Sequence, residues 1–484
     1  MQGIAKMKKH LLIILFLLFY FGITAYKFVA YPTPFYDWDE SIYVQVGREM
    51  VRAKSIVPLW QGQYWLDKPP LVPLAYGIVE TIAPIKPELS TRLFTLSLTI
   101  LLFIFIYYFY FKLTKNEFIS FLTVVISAFT TIFLQRAQVL NVDIFLFLGW
   151  MGYLVFFDSA GRGRHFWLSF LFLAIGVLSK SLLGFYPVLL FLGLYICQYL
   201  TKSISSKKFI EISKKLIIQS SILLLWYVGM FLYFKYPFIQ AHFLDSHLKR
   251  VTASIESHFG KRTFYIDLLF NQIGLSAYLS IIGIVLVFKK SNNLISKIYY
   301  LFFVPWFLFL NLTKTKINWY LYPIIPQFAF LGVYLLDFVR KKVIVALIIS
   351  LITAGILVYP QFSKNSFFNT QYSQYDENYA IAKAANGRCT NIQMLVDPDS
   401  RKTHDTLQSM NLLIGTSEWW GNHPAIVYYS NAKVDFIYSV NHFSKLLSNA
   451  PSKTCFIYYE QDKESFTHTL SLVKHEKDLY LYTK

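Results

Sequence analysis

The chain has 484 residues, 55% hydrophobic and 19% aromatic, with 46 Lys and Arg against 27 Asp and Glu. That composition excludes a soluble globular protein. It also excludes nucleic-acid binding as the meaning of the +19 net charge, because the Lys and Arg sit in short clusters between apolar runs, as in loops facing an anionic membrane surface.

Lys6, Lys8 and Lys9 precede the run "HLLIILFLLFYFGITAYKFVAY". Its core is too long for a signal peptide and lacks a small-residue cleavage site, which predicts an uncleaved first helix with a cytoplasmic N-terminus. About eleven transmembrane helices of ~20 residues are predicted in all. They fall near 11–31, 90–111, 117–134, 141–158, 165–180, 182–200, 211–234, 265–288, 296–312, 319–338 and 342–360. With the N-terminus inside, Lys112 and Lys115, Arg162 and Arg164, the cluster Lys202–Lys215, Lys289, Lys290 and Lys297, and Arg340, Lys341 and Lys342 all fall in inside loops. The positive-inside rule therefore selects this orientation.

The same orientation leaves a first outer loop at 32–89, another near 235–264, and everything after 360 outside. In the first loop, "ESIYVQVGREMVRA" has helical spacing and predicts an amphipathic helix lying along the surface. "KPPLVPLAYGIVETIAPI" is interrupted by four prolines and predicts a second surface or re-entrant helix. The tail alternates strand-like runs ("IQMLVD", "AIVYYS", "VDFIY", "CFIYY", "LYLYT") with helix-like ones ("DENYAIAKAAN", "NHFSKLLSNA"). The predicted fold class is mainly α: a polytopic membrane domain at 1–360 and a small extracytoplasmic α/β domain at 361–484. Cys389 and Cys455 each lie just before a strand-like run, and either pair in an oxidising compartment or stand as separate thiols. Cys197 lies in an apolar run, and no cysteine spacing suits zinc.

Charges on the predicted outer face need a reason. Lys68, Arg92, Arg136, Lys180, Arg250, Lys314 and Lys316 are among the cations there, several beside Pro, Gly or aromatic residues, as in "YWLDKPPL" and "LTKTKINWYLYPIIP". Any one of them is explained by snorkelling to the interface. The set, together with a nearby acidic cluster, suits an anionic lipid headgroup. The acids are Asp37, Asp39 and Glu40 in "FYDWDESIYVQ", and Asp143 at the outer start of a span in "QRAQVLNVDIFLF". A carboxylate beside cations and a lipid phosphate can act as general base toward an acceptor hydroxyl, with the phosphate as leaving group. Asp37 alone reads as a solvated loop acid. A transporter or flippase for a lipid-linked sugar is the rival reading. It explains the basic site but gives no role to acids lying off the spans.

The order D-E-x-x-Y (Asp39 to Tyr43), R-E-M (Arg48 to Met50) and K-P-P-L (from Lys68) resembles the bacterial lipid A aminoarabinose transferases and the protein O-mannosyltransferases, polyprenyl-phosphate-dependent glycosyltransferases of the GT-C fold. "ELSTRLFTL", "GVLSKSLLGFYPVL", "HLKRVTASIESHFGKRTFYI", "TKTKINWYLYPIIPQFAFL" and "EWWGNHPAIVYYSNAKV" extend the resemblance in order along nearly the whole chain. It implies an inverting transfer from a polyprenyl-phosphate sugar to a hydroxyl of lipid A, another glycan or a protein, outside a cell (inner) membrane. It implies Asp39 as base, Asp143 as second acid and Glu40 beside them. Lys68 would hold the donor phosphate, supported by Arg48, Arg92, Lys180, Lys316 and Tyr320, with Tyr43 and His258 near the cavity. Where the family commonly shows glycine after the helix-5 lysine, this chain has Ser181. A divalent metal is left open: Asp39 and Asp143 could bind one, though no ligand spacing demands it.

Overall fold

The computed structural model describes residues 10–157, 163–290, 294–338, 345, 355, 377–449, 451, 453–466 and 470–484. Among the described residues, four helical stretches are long and apolar enough to cross a membrane: Leu11–Ala30, Pro87–Thr114, Arg164–Leu200 (helices Arg164–Lys180 and Tyr186–Leu200 joined by the 3-10 turn Ser181–Phe185) and Ser206–Phe234. A fifth span results if Phe264–Ile273 and Leu275–Lys289, bent by 107°, are taken together. Leu12, Leu15 and Leu18 on the first of these helices, and Leu225 and Leu232 on the fourth, stay exposed, as lipid-facing side chains do. The chain is a membrane protein. The remaining predicted spans are shorter or broken among the described residues. The predicted span 117–134 stops at Ala128 and restarts as Thr131–Arg136, with the Thr130 hydroxyl accepting from Phe133 N. The predicted span 319–338 opens as a 3-10 turn at Asn318–Leu321 before Ile325–Tyr334, where Pro323 and Pro326 interrupt regular hydrogen bonding. The predicted span 342–360 lies outside the described residues, apart from two isolated positions.

Two glycine contacts set the helix spacing around the first loop. The predicted amphipathic helix forms as Asp39–Ala53. It is not laid along the surface, because Glu40 to Gly47 and Met50 are all buried. Helix Leu71–Ile82 packs against it so closely that a Cβ on Gly47 would lie 2.1 Å from Pro73 O, and one on Gly77 would lie 2.3 Å from Gly47 C and O. Pro73 is tolerated because it falls in the first turn of its helix, where no backbone donor is required. Between the apolar helices, Gly149 of helix Asp143–Phe156 meets Gly176 of helix Arg164–Lys180, with 2.6 Å from an added Cβ to Gly176 N. Small residues let backbones approach where lipid supplies no hydrophobic drive.

A hairpin, β1 (Leu59–Trp60) and β2 (Gln63–Tyr64), closes the first loop. The tail builds a mixed sheet of β3 (Asn391–Leu395), β4 (Lys433–Ile437), β5 (Thr454–Tyr459), β6 (Ser471–Glu476) and β7 (Leu479–Thr483) in the order β4-β3-β5-β7-β6. The β3 strand pairs in parallel with β4 and β5, whereas β7 is antiparallel to β5 and β6. "AIVYYS" is not a strand: Pro424–Ser430 is a helix, with Pro424 at its first position and Asn431 in the left-handed conformation just past its end. Cys389 and Cys455 form a disulfide at the start of the β3–β5 pair.

This sheet-bearing segment is fastened to the first loop. Phe35 N donates to Tyr429 Oη at 2.7 Å, and Gln61 exchanges hydrogen bonds with both Val434 N and Val434 O. The Trp420 ring packs on Trp60 and Trp65 at 4.6 and 5.6 Å. Gly47→Ala is expected to force the Asp39–Ala53 and Leu71–Ile82 helices apart and to destabilise the fold by about 1–3 kcal/mol. Its thermal midpoint in detergent should fall below that of wild type, while Gly22→Ala, which meets nothing within 4 Å, leaves the midpoint unchanged.

Candidate active site

Asp39 is the first residue of its helix, and three neighbours fix it there. Asp37 is half-buried rather than solvated. It accepts from Ala425 N at 2.8 Å, His423 Nδ1 at 2.9 Å and Asn378 Nδ2 at 3.3 Å. Glu40 is fully buried, and Arg92 Nη2 donates to it at 2.6 Å and Arg92 Nε at 3.1 Å. The same carboxylate accepts from Tyr36 N and Leu140 N, while Arg92 also donates to Thr33 O and Pro34 O. With their bonding capacity filled inside the fold, Glu40 and Arg92 hold the loop in shape. Of these two expected site residues, both are engaged within the fold, and Glu40 also lines the larger of two cavities.

Two adjoining cavities follow. The smaller, about 100 Å³, is lined by Lys68, Asp143, Lys180, Arg250, Tyr320 and an apolar wall including Trp306 and Phe309. Lys180 Nζ lies 2.5 Å from Asp143 Oδ1 and 4.4 Å from the centre of the Tyr320 ring. Asp143 Oδ2 is buried with no hydrogen-bond partner among the described residues. Burial, reinforced by the charges of Arg250 and Lys180, pushes the Lys68 ammonium down to about 8. The larger cavity, about 490 Å³, contains Asp39, Arg136, Glu256, His258 and Trp319. Arg136 Nη1 is 3.8 Å from Asp39 Oδ2 and its guanidinium lies over the Trp319 ring at 4.3 Å. Asp39 keeps 28% of its side-chain surface. Burial still raises its carboxyl above the usual range; Arg136 opposes this, Asp143 adds to it, and Lys180 and Lys68 oppose it more weakly. The cavities meet at Arg250, on the small one, which pairs at 3.0 Å with Glu256, on the large one.

Three other expected site residues line neither cavity. Arg48 pairs with Glu80 at 2.7 Å and stacks on Tyr428 at 3.6 Å, bracing the sheet-bearing segment. Lys316 Nζ donates to Leu310 O and Asn311 O at 3.1 Å, closing the end of helix Val304–Leu312. Tyr43 is buried beside Trp65 and lines neither cavity. Arg250 and Arg136 were visible in the sequence only as two more outer-face cations, and His247 and Asp67, also on the small cavity, carried no signal. Ser181 takes φ +58 and ψ −133, a conformation suited to glycine, and its hydroxyl bonds His242 Nε2 at 2.7 Å. The acidic pair Asp39 and Asp143 that could hold a divalent metal is faced by cations. Asp143 is taken up by Lys180, Asp39 faces Arg136, and no group of three His, Cys, Asp or Glu converges among the described residues.

Residues 67–228 match the family model described as dolichyl-phosphate-mannose-protein mannosyltransferase. The chain is similar to ArnT from Cupriavidus metallidurans bound to undecaprenyl phosphate, at 12% identity and a TM-score of 0.71, over 98% of each chain. The apo form of that protein aligns at 13% identity and a TM-score of 0.67, over 99% of this chain and 98% of that one. The Archaeoglobus fulgidus oligosaccharyltransferase in its apo form aligns at 10% and 0.55, over 92% of this chain and 70% of that one. No curated protein sequence matches significantly. The likeness is one of fold, and it is the GT-C fold that the sequence motifs resembled.

The roles of the two neighbouring acids separate in stability. Glu40→Gln strips the buried Arg92 of its counter-charge and should cost about 3–5 kcal/mol, read as a large fall in thermal midpoint in detergent. Asp39→Asn should leave the midpoint unchanged or slightly raised, because burial already disfavours the charge that it removes.

Proposed function

We propose that the chain is an integral-membrane glycosyltransferase that moves one sugar from a polyprenyl-phosphate carrier to an acceptor hydroxyl on the outer side of the membrane. The observation that carries this reading is the adjacency of the two cavities. One gathers Lys68, Lys180 and Arg250 against an apolar wall, the chemistry of a lipid phosphate. The other holds Asp39, its carboxyl raised by burial above the usual range, beside Glu40 and Glu256, which are each closed by an arginine. The basic clusters in alternate loops support an outer location for both cavities, with the N-terminus in the cytoplasm.

In this reading the cations of the small cavity bind the donor phosphate, and Arg250 takes the supporting part that the sequence assigned to Arg48 and Arg92. The open Oδ2 of Asp143 accepts a hydroxyl of the donor sugar and orients it. Asp39 takes the proton of the acceptor hydroxyl as its oxygen attacks the anomeric carbon. The bond from that carbon to the phosphate oxygen breaks, its electron pair leaves with the phosphate, and the configuration inverts. Lysine and guanidinium charge stabilises the phosphate as it departs.

Release of polyprenyl phosphate by purified protein from radiolabelled polyprenyl-phosphate sugars tests this. Asp39→Asn should lower turnover by about 10²-fold or more with folding intact. Normal turnover in that variant would reject Asp39 as base. The pH profile gives a second test. Asp39 acts as the carboxylate, so kcat/KM should fall on acidification at a pH above the ordinary carboxylate range. Lys68 binds phosphate as the ammonium, so kcat/KM should also fall as pH rises through about 8. Lys68→Arg, which stays charged, should remove that alkaline limb; an unchanged limb would detach it from Lys68.

A further inference from the structure

The large cavity is chemically unlike its neighbour. Its wall is aromatic, with Trp38, Trp319, Trp420 and Tyr438, and carries neutral hydrogen-bonding side chains, among them Thr403 and Asn422. Arg136 is the one Lys or Arg on that wall among the described residues, and its charge is already engaged by Asp39 and the Trp319 ring. The acids Glu40 and Glu256 are paired with Arg92 and Arg250. No surplus positive charge remains there to receive a phosphate, whereas the small cavity has three cations.

Two wall residues also hold unanswered polar atoms. Arg136 Nη1 and His404 Nδ1 are buried without a hydrogen-bond partner among the described residues, and Arg136 and His404 are only 3% and 8% exposed. The distance from Nη1 to Asp39, 3.8 Å, exceeds hydrogen-bond length. His404 Nδ1 lies 3.6 Å from Asp405 Oδ1, again beyond hydrogen-bond length, and the ring is held by Glu418 at its other nitrogen, at 3.1 Å, and by the Tyr438 ring at 4.2 Å. Buried polar atoms are normally satisfied, so unsatisfied ones on a cavity wall call for a ligand with hydroxyls or ordered water. Rings beside neutral polar groups suit a ligand with apolar C–H faces and many hydroxyls. The volume is in the range that holds a drug-sized molecule.

We propose that this chamber binds the acceptor and that the acceptor is a neutral saccharide, gripped between the membrane helices and the sheet-bearing segment. The inference rests on the transferase reading above and narrows its acceptor class. A hydroxyl of the saccharide loses its proton to Asp39 and forms the new bond to the donor's anomeric carbon, while the carbon–oxygen bond to the lipid phosphate breaks and its electrons leave with the phosphate. Hydroxyls elsewhere on the saccharide bond Arg136 Nη1 and His404 Nδ1.

The experiment incubates the full-length protein with radiolabelled polyprenyl-phosphate hexose and pentose and an envelope extract, then separates glycan, lipid A and protein. The expected result is label in the glycan fraction, in a linkage that resists both mild acid and alkaline β-elimination. Label on lipid A released by mild acid, or on protein released by β-elimination, would overturn the saccharide proposal and leave the transferase reading standing. Absence of both transfer and polyprenyl-phosphate release would overturn the transferase reading itself. With the glycan acceptor, His404→Gln and Asn422→Ala should each raise the acceptor KM about tenfold more than the donor KM, the effect of losing one hydrogen bond to the ligand. Equal changes in both constants would mark these residues as structural and count against the chamber as acceptor site.

Discussion

The buried Glu40–Arg92 pair is the joint on which the region around both cavities depends. A charge removed from water survives only if it is matched and its remaining lone pairs or protons are met. Here one carboxylate collects the guanidinium of helix Pro87–Thr114, the backbone of the loop leaving the first helix, and Leu140 N just ahead of Asp143. Three stretches far apart in sequence are thereby locked to one point. Asp39 is the residue next to that point, so its position follows from the pair even though it takes no part in it.

Around this joint, charge is segregated by partner. Arg48 with Glu80, and Arg92 with Glu40, are closed pairs that brace packing. Lys180 with Asp143, and Arg250 with Glu256, are open on a cavity side, each cation lining the small cavity while still being held. A cation that is oriented by a carboxylate yet keeps access to a cavity is arranged in advance for an incoming anion. Lys68 feels Asp67 and Glu256 only weakly, and its lowered pKa reflects burial beside the like charges of Arg250 and Lys180. Neutralising phosphate charge would relieve that repulsion, so the site's electrostatic discomfort and its proposed ligand are complementary.

The sheet-bearing segment is part of the same arrangement. The stretch 413–430 reaches both cavity rims: Thr416 donates to Asp67 at 2.6 Å beside Lys68, Leu413 O accepts from Lys249 beside Arg250, and His423 and Ala425 hold Asp37 beside Asp39. Tyr428 and Tyr429 add bonds to Glu80 and Glu88. One continuous stretch is thus in contact with the sequence neighbours of Lys68, Arg250 and Asp39. It couples the shape of the large cavity to the geometry of the small one.

The sequence by itself determined the membrane character, the long apolar helices and the acids gathered where the first helix ends. These are carried by local composition: apolar run length, and ionisable residues where solvation makes them costly. That Lys68, Asp143, Lys180 and Tyr320 share one cavity was implied only by the motif resemblance, not by composition. Only the tertiary structure decided which of several identical arginines faces a cavity. Arg92 and Arg48 find Glu40 and Glu80, 52 and 32 positions away, and are consumed, while Arg250 and Arg136 reach the cavities. The reason is physical: partner choice among like charges is set by how closely helices approach. That approach hangs on contacts such as Gly47 on Gly77, whose significance no local pattern reveals. The same holds for "AIVYYS", which reads as a strand in isolation and becomes a helix because its proline and the docking of Tyr428 and Tyr429 outweigh β propensity.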